Sequence, residues 1–518
     1  MGDVMMHPGY SRGTRLPLVA VMIVSVLAAG FLRAAATDFQ ETRRGGQSGA
    51  RGASALGSMN SFALALLLGG LRGPLAMVLW ATSESQKADR NLEDFDTKVE
   101  WIRLLQPEFD TVHLFQIWNK AYNISVQMAS LPNRFAAVLD ALDYAAEVDK
   151  SRPDNINIMN AIANVYSNKL GTPHQEKNFY RRWVREQSFV PKDWRPGERR
   201  EQPAWQRRRM EPKLGLDGMI LPHLLAPKPH HERPAGLAPD AAWNTGAELQ
   251  HLEKYQPFPY GISTFALAFN YAKRSQVLMS VDKQSPLQVS DSVIDSRPAV
   301  ELKGWGEDEF ERGRVFELQA MGLRVPAERL DMEAPTAAVP PDASRISDAS
   351  VVPAALYSYE MAARVSGDAV REYNRHMADP QFFDRGGLYH SHVDNCTAVI
   401  FLASADRDYL KAASLPANDP QREKLLTDAA KSYQDAIGAN QLIILKYYVT
   451  DQMVAAQYGP DVTRENIDKQ PRAEQDKLMQ RVRQALATSG ITGHEEDVAE
   501  YETYIARATT RLGQLLRR

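Results

Sequence analysis

Apolar spacing constrains this chain most. Between Asp94 and Phe189, apolar residues recur at intervals of three and four, the period of one face of an α-helix. Val99, Ile102 and Leu105 form a first stripe, stopped by Pro107. Val112, Phe115, Trp118 and Tyr122 form a second. Phe135, Val138, Leu142, Ala145 and Val148 form a third, broken at Ser151-Arg152-Pro153-Asp154. Ile158, Ile162 and Val165 form a fourth, ending at Gly171, a natural helix stop. Short turns between amphipathic helices imply antiparallel neighbours. The expected class is mainly α, either irregular helical hairpins of tetratricopeptide type or a plain helical bundle.

The same signals return later. Ser263 is placed to cap a helix running to Met279, with Phe265, Ala268, Phe269, Ala272 and Gln276 on one face. Helical patterning resumes from Ala354 to Tyr458. There Ala429, Tyr433, Ala436 and Ile437 resemble the second helix of a tetratricopeptide unit. Residues 461–518 are highly charged, and Leu512, Leu515 and Leu516 give the last helix an apolar edge.

Composition narrows the class. Of 518 residues, 44% are hydrophobic and 24% charged, which excludes a chain disordered throughout and one made mostly of membrane spans. The lone cysteine, Cys396, excludes an internal disulfide framework and a Cys-rich metal site. A net charge of −3 gives no global signal for nucleic acid, and none is expected as a partner.

At the N-terminus, Leu16–Leu32 reads LPLVAVMIVSVLAAGFL, 17 residues without a charge. That length is at the short end of what crosses a bilayer. It is expected to be a single-pass anchor helix, the rival being a signal peptide cut near Ala34-Ala35-Ala36. The flanking arginines do not separate the two sides cleanly, and the body is placed on the extracytoplasmic side. A second apolar stretch, Phe62–Trp80, is interrupted by Gly69-Gly70, Arg72, Gly73 and Pro74, and reads as two short pieces that pack on the body or lie at a membrane interface, the alternative being a second span.

These features divide the chain. Residues 1–36 are the anchor or signal helix, 37–60 a Gly/Ser/Arg-rich linker, and 61–190 a tetratricopeptide-like helical region. Residues 191–260 are a basic, Pro-rich irregular segment and 261–324 a helical region. Residues 325–353, with Pro326, Pro335, Pro340, Pro341 and Pro353, are a linker, and 354–518 a C-terminal helical region. Within 172–215 there are twelve basic and six acidic residues, interleaved with aromatics that include Trp183, Trp194 and Trp205. The arm at 177–213 reads first as a solvated face, then as a contact for anionic lipid, and last as one for nucleic-acid phosphates and bases.

Three constellations bear on chemistry. His390, His392, Asp394 and Cys396 lie within seven residues, and on a helix His392 and Cys396 share a face, so a metal site or a Cys–His pair is an alternative to a buried core cysteine. His223, His230, His231 and His251 lie in the Pro-rich segment without a paired carboxylate motif. Trp305 with Glu307, Asp308, Glu309 and Glu311 reads as a solvated acidic helix N-terminus. The phosphate-binding, dinucleotide, zinc-protease, serine-hydrolase and EF-hand motifs are absent, and no cofactor is expected.

The stretches LLLGGLRGPLAMVLW, WIRLLQPEFDTVHLFQIWNKAYNISV, NKLGTPHQEKNFYRRW and YGISTFALAFNYAKR resemble a family of uncharacterised, membrane-anchored, tetratricopeptide-like proteins of planctomycete-type bacteria, most clearly over 60–185. Pro107 and Pro153 lie 46 residues apart, against a roughly 34-residue tetratricopeptide period, so the repeat is irregular. Pro74 stands where such relatives usually carry an acidic or small residue. The resemblance implies a fold and a location but no activity. The expected function is a non-catalytic scaffold or adaptor at the cell envelope, binding protein or peptide partners. The residues nominated for contact are Trp118, Asn119, Tyr122 and Asn123, with the two asparagines as paired amides. Ordinary core packing is the competing reading of Trp118 and Tyr122. The alternatives are an enzyme or metal protein using the His390–Cys396 segment, and a lipid-surface protein using the 177–213 arm.

Overall fold

The computed structural model describes residues 110–152, 155–171, 263–287, 289–323, 346–382, 388–459, 462–488 and 495–517. It also describes 255–257 and scattered positions between 76 and 105 and between 180 and 191. The 37–60 linker, the Pro-rich segment with its four histidines, most of the 177–213 arm and most of the 325–353 linker lie outside the described residues.

The described residues are mainly helical. In chain order the helices are α1 (Asp110–Trp118), α2 (Leu131–Ser151), α3 (Ile156–Asn164), α4 (Thr264–Asp282), α5 (Asp291–Ala320) and α6 (Val352–Ala378). Then come α7 (Leu388–Ser414), α8 (Pro420–Ile443), α9 (Asp451–Tyr458), α10 (Arg472–Thr488) and α11 (Glu495–Leu516). Two strands pair antiparallel, β1 (Phe189–Pro191) and β2 (Tyr255–Pro257), with Val190 opposite Gln256. Short polar side chains set the helix starts. Ser130, Asn155, Ser263, Asp419 and Thr450 each accept a backbone N–H one turn into the helix they precede, satisfying donors the helix leaves open. Pro353 falls in the first turn of α6, where its missing N–H costs nothing, so this helix begins inside the stretch expected to be linker.

The expected single-pass anchor, and with it the envelope location, is corrected. Among the described residues no helix is long and apolar enough to cross a membrane. The longest, α5 through α8, all carry several charged side chains, which a bilayer interior penalises. The Leu16–Leu32 segment itself lies outside the described residues.

The chain divides into two compact units, Met1–Gln116 and Ile117–Arg518. In the first, Ala76, Ile102 and Val112 form a small core with Leu79 and Phe115. In the second, helices pack in chain order: α4 on α3, α5 on α4, α6 on α5, α7 on α6 and α8 on α7, with α11 returning against α8. The main core joins Phe310 of α5, Tyr359 of α6, Leu402 and Tyr409 of α7, Tyr433 of α8 and Ala508 of α11. Alanines at 355, 362, 403, 405, 429 and 436 let these helices approach closely. A second core gathers Ile444, Leu445, Val454, Leu478, Met479 and Val498.

Helix α5 is the axis of this unit although its sequence is strongly charged. Acids that read as a solvated helix start lie mid-helix instead, and Trp305, Asp308 and Glu309 are buried. Each buried acid is matched by arginine. Arg181 and Arg185, expected to be solvated, reach Asp308 at 3.3 and 2.5 Å. Arg312 meets Glu309 at 3.3 Å, and Arg297 meets Glu301 at 2.5 Å. At the far end Glu317, fully buried, is gripped by Arg511 and, at 2.8 Å, by Arg507. Arg507 also bonds Asp406 at 3.0 Å; Tyr359 donates to Glu317 at 2.7 Å and Tyr433 to Asp406 at 2.6 Å. Two carboxylates and two guanidinium groups thus stitch α5, α6, α7, α8 and α11 together.

Burial alone would push the Asp308 carboxyl up, but Arg185 and Arg181, helped by Ser263, outweigh it and hold it down at about 2. An unfolded aspartate titrates near 3.9, so this stabilisation is full above about pH 4 and is lost as pH falls through about 2. The difference is worth about 2–3 kcal/mol. Urea titrations of wild type and Asp308→Asn between pH 5 and pH 2 should show a loss in the wild type that the variant lacks. Parallel curves would remove Asp308 from the acid response.

Candidate functional site

The residues nominated on the first repeat-like helix are placed by a π-helical turn. Helix α1 runs into a π turn, Asn119–Ile124, and then one last α turn, Ser125–Gln127. A second π turn, Val165–Gly171, ends α3. Such turns shift side chains out of α register and recur at functional positions. Here Asn119 is buried (2% exposed), and its side-chain oxygen accepts from Asn123 Nδ2 at 2.9 Å, so the two amides bond each other. Tyr122 donates to the Asn164 carbonyl at 3.4 Å and lies beneath Lys169. Burial raises its hydroxyl above the ordinary tyrosine value. Trp118 is 44% exposed and stacks on Tyr122 at 6.4 Å. Of the four, Trp118 presents the most surface to an incoming chain.

The His390–Cys396 segment opens α7, and its residues diverge. His392 packs against the rings of Tyr373 and Tyr389. Asp394 accepts from Tyr447 Oη at 2.8 Å and from Lys446 Nζ at 3.3 Å. Cys396 is buried, and His390 is exposed. Among the described residues no three His, Cys, Asp or Glu are grouped to hold a metal. Burial, reinforced by nearby Glu307 and opposed by Lys303, pushes the Cys396 thiol up to about 12. A nucleophilic cysteine needs the opposite shift. Cys396 should therefore resist iodoacetamide at pH 8 in the folded protein and react at the free-thiol rate in guanidinium. Prompt alkylation of the native chain would restore the nucleophile reading.

Sequence reasoning passed over a histidine nearby. His376 of α6 is buried, with its Nδ1 2.7 Å from Asp295 Oδ2 of α5 and Phe382 stacked on its ring. Arg375 and Gln276 bond the same aspartate. The cluster ties α4, α5 and α6 together. His376 lies sixteen residues before His392 and carries no motif, so only the fold reveals its partner.

Asp394 also lines a cleft of this unit. On its side of α7 a cleft of about 440 Å3 opens between α7, α8 and the segment leading into α10. It is lined by Asp394, Thr397 and Phe401, by Asp435, Gly438, Ala439 and Leu442, and by Asp468, Gln470, Arg472 and Gln475. Three carboxylates face one guanidinium. Lys446 lies 3.3 Å from Asp394 and 3.8 Å from Asp468. Arg472 lies across Gly438, where a Cβ would come within 2.8 Å of its Nη1, and donates to the Gln434 carbonyl at 3.1 Å. Asp435 has neither ion pair nor hydrogen bond among the described residues. A thioether or methylene chain would find Phe401 and Leu442; a cation would find Asp435. Of the lining residues only Asp394 was singled out in the sequence, because the other two walls lie some 40 and 75 residues further along the chain.

Comparison with family models, with curated proteins and with solved structures returns no match.

Proposed function

We propose that the chain is a helical scaffold or adaptor that binds a protein partner by holding a segment of it in the cleft between α7, α8 and α10. The observation that carries this reading is the cleft: it is open, its volume is within the usual range for ligand sites, and it combines apolar lining with polar groups. Two further features support it. Successive long helices stack on their chain neighbours, the construction that irregular tetratricopeptide-like scaffolds use to present a binding surface. The buried acids of α5 and α7 described above are paired with arginines, and Cys396 is held as a thiol. Trp118 offers a second, smaller contact.

Ala439 lies in the cleft wall, so Ala439→Trp fills the cleft without changing charge. Tagged full-length wild type should co-purify a stoichiometric protein that Ala439→Trp, folded by circular dichroism, loses. Retention of the same partner by the blocked variant would refute the cleft as its site.

A further inference from the structure

We propose that the cleft takes an arginine side chain of the partner segment, so that the segment it holds is basic. This rests on the scaffold reading and adds the chemistry of the occupant. Four observations lead to it. The lining is acidic, three carboxylates to one guanidinium. The one cation is already committed, since Arg472 lies over Gly438 and bonds the Gln434 carbonyl. Lys446 partly answers Asp394 and Asp468, whereas Asp435 is left without a partner among the described residues. The same cleft contains Phe401 and Leu442, against which the stem and plane of an arginine can lie.

The occupant's charge follows from Coulomb's law in a partly enclosed site. A carboxylate entering here would meet three like charges, and a neutral side chain would displace water from the half-buried Asp435 without replacing its hydrogen bonds. A guanidinium satisfies Asp435 through two parallel N–H···O bonds while its flat face rests on apolar lining. A lysine supplies the charge without the plane, so arginine is preferred.

The test uses the full-length protein and fluorescein-labelled decapeptides of alternating glycine with arginine, lysine, glutamate or serine, read by anisotropy at 50 mM salt. The arginine peptide should bind, and the lysine peptide at least threefold more weakly. The glutamate and serine peptides should not bind. Asp435→Asn should weaken arginine-peptide binding tenfold or more. Asp428→Asn, an exposed acid of the same helix outside the cleft, should change it less than twofold. Equal losses from both variants would assign the binding to diffuse charge and overturn the proposal. Binding of the serine or glutamate peptide that Ala439→Trp abolishes would also overturn it while leaving the scaffold reading intact. Absence of arginine-peptide binding, with partner capture still sensitive to Ala439→Trp, would have the same meaning.

Discussion

Glu317→Ala should destabilise the second unit by about 3–5 kcal/mol, because it strands two arginines in a dry interior. Both lose a partner: Arg511, fully buried, pairs with Glu317, and Arg507 is shared between Glu317 and Asp406. Although burial opposes it, the attraction of Arg511 and Arg507 holds the Glu317 carboxyl below the ordinary glutamate value, so it is charged at neutral pH. Tyr359→Phe removes one bond to the same carboxylate and should cost only about 1–2 kcal/mol. Urea unfolding followed by circular dichroism at pH 7 orders the two. If Glu317→Ala costs no more than Tyr359→Phe, the network is not what joins α5 to α11.

The second large effect concerns glycines on α5. A Cβ at Gly313 would lie 2.6 and 2.7 Å from two ring carbons of Tyr359, and a ring cannot yield as a flexible chain end can. Moving that ring also pulls its hydroxyl from Glu317. Gly313→Ala should therefore cost about 1–3 kcal/mol by overpacking, despite the better helix propensity of alanine. At Gly306 the Cβ would meet the Ser366 hydroxyl oxygen at 2.2 Å, but the serine Cβ and backbone N only at 3.4 Å. A hydroxyl can rotate away, so Gly306→Ala should cost less. The same urea series decides, and the reverse order would contradict the packing described for α5 against α6.

Where one element buries an apolar face, the sequence was readable. Phe135, Val138, Leu142, Ala145 and Val148 of α2 are all buried, as are Ile158, Ile162 and Val165. Ser263 caps α4, and Ala429, Tyr433 and Ala436 face the core. Periodicity failed at Trp118, expected on a buried stripe: it projects outward, while Leu114, Ile117 and Ala121 are buried. It failed more completely at α5. There Arg297–Glu301 and Arg312–Glu309 follow local helical spacing, but the pairs that join α5 to the rest lie 127, 190 and 194 residues apart, and no local pattern announces those. The cleft was equally hidden, since three separate segments line it and only their packing makes Asp435 and Phe401 neighbours of one space.

Hydrogen–deuterium exchange of the full-length protein, alone and with the partner it co-purifies, tests the central claim most directly. Binding should slow exchange in 394–401, 435–442 and 468–475, the three walls of the cleft. Unchanged exchange in all three, with protection confined to other parts of the chain, would contradict the account.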